Sequence, residues 1–461
     1  MPEQQDKRWL ILGAVLIGTL MGTFGSSLVN VSLPAIIDHY AIPLSSAVWV
    51  QTIYTLLVAV LMPVFGRLGD MVGYKRIYLA GMALLAAASL VAALAPSFPL
   101  LIASRALQGI GNATTLPSVM AIITHFFPDR QRGRAMGAWA AANGAAHGLG
   151  PVIGGYLTQG LGWPVVFLFL GSLTALGVVV IWRVVPRDAR RVEQRFDLMG
   201  AATLTMAMLG LMLYLTQGSR LGWTAPLSLL LALAFVALMA AFLLVEKRVQ
   251  PPFVELHLFA NRGFTMASAI IASQFFCLFG MQLLLPLFLV RVQGRGSGAA
   301  GTLIAVLSLT SAVVAPLAGR LADSLGCRRL CVAGMTLVGA SGGLLLLWGA
   351  ESPSWQIVGT LVALGVGMGF VQSPVATAVT LAVGREQLGV ALGIFNMIRF
   401  IGASLGTMVF GLILGQAVSQ QAIAPYRLDF GLLIVVALTA VLLAVGLPVS
   451  HVRARRQRVE V

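Results

Sequence analysis

Apolar stretches long enough to cross a bilayer recur along almost the whole of this chain, and no other feature restricts its possible folds so strongly. The first, Leu10 to Val31, has 22 residues, where a helix needs about 20 to traverse the hydrocarbon core. A signal peptide would carry a shorter apolar core and a small-residue cleavage site, so this stretch reads as a retained span. Apolar runs between charged or turn-rich breaks place the spans near 10–31, 48–65, 77–94, 100–123, 135–157 and 164–182. Two more follow near 198–215 and 227–245, then six near 265–290, 299–318, 330–348, 356–381, 390–414 and 430–449. The expectation is an all-α polytopic membrane protein with fourteen transmembrane helices.

Composition agrees, since 58% of the 461 residues are hydrophobic and only 10% are charged, against about a quarter charged in ordinary soluble domains. Thirty Lys and Arg against fifteen Asp and Glu give a net +15, a balance that in a soluble protein suggests nucleic acid or acidic surfaces. Here the position of the charges matters more, because Lys and Arg resist translocation. With the N-terminus inside, 24 of the 30 basic residues fall on the cytoplasmic side. Arg220, Arg291, Arg295 and Arg427 fall outside, while Arg105 and Arg399 lie within spans. Both termini are therefore expected in the cytoplasm, and no nucleic-acid partner is implied. Cys277, Cys327 and Cys331 make an odd set without metal-ligand spacing, so free thiols are expected and no metal site.

The chain also repeats itself. Gly66 to Arg76 reads GRLGDMVGYKR and Gly319 to Arg329 reads GRLADSLGCRR, 253 positions later, with six of eleven positions identical. Each copy follows the second span of a six-span block, so the chain parses as 6+2+6. Residues 1–185 form an N-terminal six-helix bundle, 186–262 two additional helices with a cytoplasmic linker, and 263–461 a C-terminal six-helix bundle with a basic tail. Duplicated bundles that rock about a central site are a recurrent transporter design. The linker segment PPFVELHLFANR, Pro251 to Arg262, suits either an interfacial helix or an ordinary connector.

Three motifs carry chemistry. In the repeated loop, Gly66, Gly69 and Gly73 suit a tight turn, and Asp70 with Arg67 and Arg76 can bridge helix ends by charge and dipole. Gly319, Arg320, Asp323, Gly326 and Arg329 repeat that register, which a merely basic cytoplasmic turn does not explain. In the fourth span, Arg105 must face a partner, water or, by snorkelling, the outer interface, and Gln108 lies one turn along on the same face. The fifth span, GAAHGLGPVIGG, brings Gly150, Pro151, Gly154 and Gly155 onto one helix, which permits close packing and a bend and suits a gate.

On these motifs the sequence resembles the major facilitator superfamily, and most closely its fourteen-helix drug:proton antiporter family, over essentially the whole chain. The loop motif matches at Gly66, Asp70, Gly73 and Arg76 and at Gly319, Asp323, Gly326 and Arg329. The fourth-helix motif matches at Arg105, Gln108 and Gly109, and the antiporter motif at Gly150, Pro151, Gly154 and Gly155. The resemblance implies a major facilitator fold in a bacterial inner membrane and secondary active, proton-coupled efflux of amphipathic compounds or drugs by alternating access. A metabolite importer on the same fold is the alternative. The chain departs from the family in the first span, where FGSSLVNVSLP keeps Asn30, Val31, Leu33 and Pro34 but has Gly25 at the usual acidic position. No Asp or Glu is expected near a membrane midplane, with Asp38, Asp70, Glu246, Asp323 and Asp429 all placed at ends or loops. Dications are accordingly expected to be poor substrates.

Without a buried acid, the coupling candidates are Arg105, Gln108 and His147. His147 stands about twelve residues into the fifth span, and histidine alone titrates ordinarily near neutral pH. A neutral imidazole hydrogen-bonded across a helix interface is the structural alternative. Polar or aromatic side chains within spans are costly against lipid, so Asn30, Gln51, Tyr54, Asn112, Asn143, Gln274, Gln282, Gln372, Asn396 and Arg399 are expected along the substrate path or in interhelical bonds. The chain has no GxxxxGK[ST] phosphate loop, and its five histidines show no nucleophile–base arrangement, which argues against ATP use and against a membrane enzyme or sensor. The expected partners are a small-molecule substrate, protons and the bilayer, with no cofactor and a monomeric state.

Overall fold

The structure, a computed structural model, describes residues 2–186, 197–249, 252–383, 388–415 and 423–448. These residues are helical almost throughout, with no β-strand among them. Chain contacts divide the protein into two compact units, Met1–Phe253 and Val254–Val461. The first holds α1 Pro2–Tyr40, a short α2 Leu44–Ala47, α3 Trp49–Val72, α4 Tyr74–Ala93, α5 Phe98–Ala113, α6 Thr115–Phe126, α7 Asp129–Leu161, α8 Trp163–Val184, α9 Leu198–Leu221 and α10 Pro226–Glu246. The second opens on a 3-10 turn at Leu256–Ala260, within the linker segment. It continues with α11 Arg262–Leu287, a π-helical turn Phe288–Val292, α12 Ser297–Leu325, α13 Cys327–Leu345, α14 Ser354–Ala382, α15 Leu388–Gly415 and α16 Ile423–Val445.

Each apolar run of the sequence falls on helix, and among the described residues eleven helices are long and apolar enough to cross a membrane. The remaining runs have local reasons to fall short. The run at 100–123 breaks between α5 and α6, where Thr114 turns its hydroxyl and its N–H onto the Gly111 carbonyl at 2.8 and 3.3 Å. Pro117, lacking an N–H, cannot restore the ladder there. Glycine, polar residues and the cations of its first turns dilute α7, and α13 has 19 residues and begins on Cys327 followed by Arg328 and Arg329. The clearest mark of a lipid solvent is α10. Leu230, Leu233 and Val236 along it are 60%, 66% and 59% exposed, and a helix apolar all round and left uncovered needs an apolar surrounding.

Packing repeats between the units. In the first, α1 packs on α7 and α8, α3 on α5, and α4 on α5 and α8; in the second, α11 packs on α15 and α16, α12 on α14, and α13 on α14 and α16. Helices α9 and α10 pair with each other, and α9 also touches α3. The duplicated loop motif lands on equivalent joints: Gly73 alone links α3 to α4 and Gly326 alone links α12 to α13, at φ +104° and +84°. Only glycine adopts such a φ without strain. Gly66 and Gly69 lie inside α3, so the turn rests on Gly73 and not on all three glycines. The cysteines Cys277, Cys327 and Cys331 are buried free thiols.

Candidate functional site

Arg105 is 0% exposed within α5, and a buried guanidinium has five N–H groups to satisfy. Nε donates to the Val50 carbonyl at 2.7 Å, and Nη1 to the Gly25 carbonyl at 2.8 Å and to Gln108 Oε1 at 2.6 Å. Nη2 reaches Gln51 Oε1 at 3.4 Å, and the guanidinium carbon stands 4.3 Å from the centre of the Tyr54 ring. Tyr54 in turn donates to the Gly22 carbonyl at 2.5 Å, and Gln108 Nε2 donates to Ser89 Oγ at 2.9 Å. One cation thereby ties α1, α3 and α5 together, with α4 joined through Gln108, and the snorkelling alternative does not apply. All of these partners are neutral. Gly25 offers its carbonyl in place of a side-chain acid, and a Cβ there would stand 2.9 Å from Tyr54 Oη.

Two glycines of α7, Gly150 and Gly154, face α1. A Cβ on Gly154 would lie 2.5 Å from the Leu28 carbonyl oxygen and one on Gly150 would strike Ser27, so these two glycines let the backbones touch. Polar pairs stitch this seam: Thr23 Oγ1 to Asn143 Oδ1 at 3.0 Å, Ser27 Oγ to the Ala146 carbonyl at 3.3 Å, and Ser32 Oγ with Thr158 Oγ1 at 2.7 Å. His147 is half-buried beside it, with Nδ1 3.1 Å from the Asn143 carbonyl.

A second seam in the other unit has the same construction. A Cβ on Gly402 would stand 2.8 Å from Ala272 Cα, and one on Gly406 2.7 Å from Phe276 Cα, so α15 lies on α11 as α7 lies on α1. Gly402 and Gly406 were not singled out in the sequence, although they lie 252 positions beyond Gly150 and Gly154, nearly the offset of the loop motif. The register places Arg399 where His147 stands, each three residues before its first glycine. Around Arg399 the second seam is aromatic: the guanidinium carbon is 4.8 Å from the Phe275 ring centre and 4.9 Å from that of Phe400.

The comparisons with known proteins agree with this duplicated architecture. The Major Facilitator Superfamily family model matches residues 15–407 and 270–460. The chain belongs to that superfamily. It is 32% identical over 409 residues to Multidrug resistance protein Stp of Mycobacterium tuberculosis, covering 88% of this chain and 75% of that protein. It is 28% identical over 415 residues to Multidrug transporter protein MdtP of Bacillus subtilis, covering 89% and 76%. Riboflavin transporter RibZ of Clostridioides difficile is 27% identical over 416 residues, covering 90% of each chain. Like these relatives, this superfamily member is a transporter and not an enzyme, a multi-pass protein of the lipid bilayer that carries small molecules.

The remaining residues expected along a substrate path or in interhelical bonds divide between the two units of this major facilitator protein. Gln51 is buried beside Arg105 with Nε2 unpartnered, Asn30 is buried, and Asn112 is half-buried next to Gly22. Gln274 and Gln282 are buried in α11; Gln274 donates to the Met368 carbonyl at 2.8 Å and leaves Oε1 without a partner. Asn396 bonds its own helix at the Leu392 carbonyl, 2.8 Å away, whereas Gln372 is exposed and joins none of these groups. At the loop motif, Asp70 accepts from the Tyr74 hydroxyl at 2.8 Å, and Lys75 donates to the Trp182 carbonyl at 2.8 Å. The Asp323 side chain lies outside the described residues, as do Arg187, Arg190, Arg191 and Arg453.

Asp429 corrects the sequence reading. The apolar run beginning at 430 puts it at a span end, but α16 begins at Ile423 and carries Asp429 as its seventh residue, 0% exposed with neither carboxylate oxygen partnered. The apolar run starts late because Tyr426, Arg427 and Asp429 interrupt it. Packing of Phe288 against Tyr426 and Phe430, at ring-centre distances of 5.2 and 6.2 Å, closes that end of the helix.

Proposed function

We propose that this protein is a secondary active exporter of amphipathic organic compounds in the bacterial inner membrane, coupled to protons and working as a monomer. Fourteen spans arranged 6+2+6 with both termini cytoplasmic are part of the same reading: bundles at 1–185 and 263–461 alternate access, and 186–262 adds two helices and a linker. The observation that carries it is the seam in which Gly150 and Gly154 let α7 lie directly on α1, the helix whose Gly25 carbonyl holds Arg105. A helix packed backbone to backbone can slide or rock without unpacking large side chains, which suits a gate. The names of Stp and MdtP support export of drugs. In this reading Asp70 and Asp323 with their basic neighbours lock one state, Arg105 and Gln108 hold the first bundle together, and His147 handles the proton.

The test is a compound panel in proteoliposomes with an imposed pH gradient. Gradient-dependent movement of amphipathic compounds, with protons moving the other way, is expected; substrate movement indifferent to the gradient in either direction would refute coupling. RibZ favours a second reading, uptake of a metabolite on the same fold. Vesicles of known orientation separate the two, because the importer reading requires net accumulation toward the cytoplasmic face.

A further inference from the structure

We propose that Arg399 is a binding group for the anionic end of aromatic substrates, so that the transporter prefers amphipathic organic monoanions over cations. The inference deepens the export reading and rests on it for the word substrate, but the site stands within the second unit alone. Arg399 is the twelfth residue of the 28-residue α15, about 16 Å along the helix at 1.5 Å per residue. Lipid headgroups lie too far off to reach a side chain there.

What singles Arg399 out is unspent hydrogen-bonding capacity. Its guanidinium makes no hydrogen bond or ion pair with a described residue, and Nε is buried without a partner. Its contacts are the faces of Phe275 and Phe400, which attract a cation but take none of its directional N–H bonds. The residue as a whole is half-buried. No acid on α11, α14 or α15 completes it, and Asp429 of α16 has both oxygens unpartnered among the described residues. A permanent cation near mid-depth without a counterion is expensive, and an entering carboxylate would offset that cost while taking two N–H bonds in the planar fork. Phe275 is buried and stacks on Phe279 at 5.8 Å with planes 23° apart, whereas Phe400, the half-buried ring against the guanidinium, offers its face to the apolar body of the same ligand.

Arg105 shows that the fold can satisfy a membrane arginine when it has only to be held, since backbone carbonyls and two glutamines fill that role. At Arg399 no described residue supplies such acceptors. The difference marks a donor set kept for something that arrives.

The experiment uses purified full-length protein in nanodiscs and three probes of one ring system: naphthalene-1-carboxylate, naphthalene-1-carboxamide and 1-naphthylmethylammonium. Equilibrium binding to the wild type is expected to favour the carboxylate over the ammonium by about tenfold or more. Arg399→Gln should remove that preference while leaving carboxamide affinity within about twofold of wild type. Arg399→Lys should keep the preference with weaker carboxylate binding, because charge survives but the fork does not. Absence of carboxylate binding, lack of preference in the wild type, or a preference that survives Arg399→Gln would each overturn the proposal. The wild-type arm decides even if a variant misfolds. Gradient-driven efflux is scored separately in proteoliposomes: preferential binding without efflux removes the export reading and leaves the site, and efflux without the preference does the reverse.

Discussion

The seam of α1 with α7 and the seam of α11 with α15 are built on one plan and filled with different chemistry. In both, a pair of glycines four residues apart brings two helix backbones into contact, and in both a nitrogen-bearing side chain stands three residues before the first glycine. The first seam is stitched by hydroxyl and amide pairs, and its His147 rests near a carbonyl of its own helix. The second is lined by Phe275, Phe276, Phe400 and Phe410, and its Arg399 is held only against ring faces. A duplicated bundle can thus keep the geometry of movement in both halves while assigning proton handling to one and substrate recognition to the other.

The comparison breaks first at the glycines. Gly154→Leu would drive a side chain into the Leu28 backbone and Gly406→Leu into the Phe276 backbone, and backbone cannot rotate away as a side chain can. Overpacking of this kind costs about 1–3 kcal/mol or more. Both variants are expected to lose at least about nine-tenths of flux, roughly a 1.4 kcal/mol rise in the limiting barrier, and to melt several degrees lower. Flux assays paired with thermal melts in detergent measure this. If Gly406→Leu transports normally and only Gly154→Leu fails, the two seams are not mechanically equivalent and the gate belongs to α7 alone.

A smaller effect sharpens the chemical contrast. Gly25→Asp would place a carboxylate beside Arg105, displacing Tyr54 by a few tenths of an ångström from the Gly22 carbonyl it now bonds. Monovalent and divalent organic cations are expected to gain about three- to tenfold in relative flux as the first unit acquires a negative group, roughly 1 kcal/mol of changed preference. An unaltered cation-to-anion flux ratio would show that the Arg105 network, a cation among neutral partners, has no part in selectivity.

Much of this arrangement is legible in the sequence. Every apolar run lies on helix, and the loop repeat led to the paired joints at Gly73 and Gly326, because a turn of one residue at positive φ leaves a glycine in the sequence. Arg105 and Gln108 could be placed on one face by spacing alone. What spacing does not carry is occupancy. Arg105 and Arg399 look alike in sequence, each a lone cation in an apolar span, yet one is bonded by two glutamines and by backbone carbonyls 55 and 80 residues away, and the other bonds no described residue. Asp429 was misplaced for a related reason: polar residues near a helix start shift an apolar boundary inward, so a buried acid reads as an end. Gly402 and Gly406 escaped because the residues around them differ from their counterparts, with Ala403 and Thr407 where Pro151 and Gly155 stand.

A finer test concerns the glue of the first seam. Ser32 and Thr158 share one buried hydrogen bond at 2.7 Å, a neutral pair contributing about 1 kcal/mol. A double-mutant cycle of Ser32→Ala and Thr158→Val, followed by thermal or denaturant unfolding, is expected to give coupling of that size with flux within about twofold of wild type. Coupling indistinguishable from zero would mean that this pair adds nothing to the glycine contact and the other polar pairs that join α7 to α1.

The smallest effect on structure, and the most informative on mechanism, is expected from His147→Gln. Glutamine is close in length, keeps a hydrogen-bonding group near the Asn143 carbonyl that His147 Nδ1 approaches at 3.1 Å, and stays within a half-buried position, so melting should not move measurably. What glutamine cannot do is titrate, whereas an ordinary imidazole changes charge close to neutral pH. If the first seam handles the proton and the second the substrate, the two fluxes should separate in this variant. Substrate should still move down its own gradient at close to the wild-type rate, while substrate-induced change of internal pH disappears. Proteoliposomes loaded with a pH-sensitive dye and assayed for substrate in the same sample read both at once. Proton movement that persists unchanged would remove His147 from the coupling step and turn attention to Asp429, the buried acid of the second unit whose oxygens have no partner. In that event the division of labour between the seams would fall, because substrate and proton would both be handled by the unit that contains Arg399.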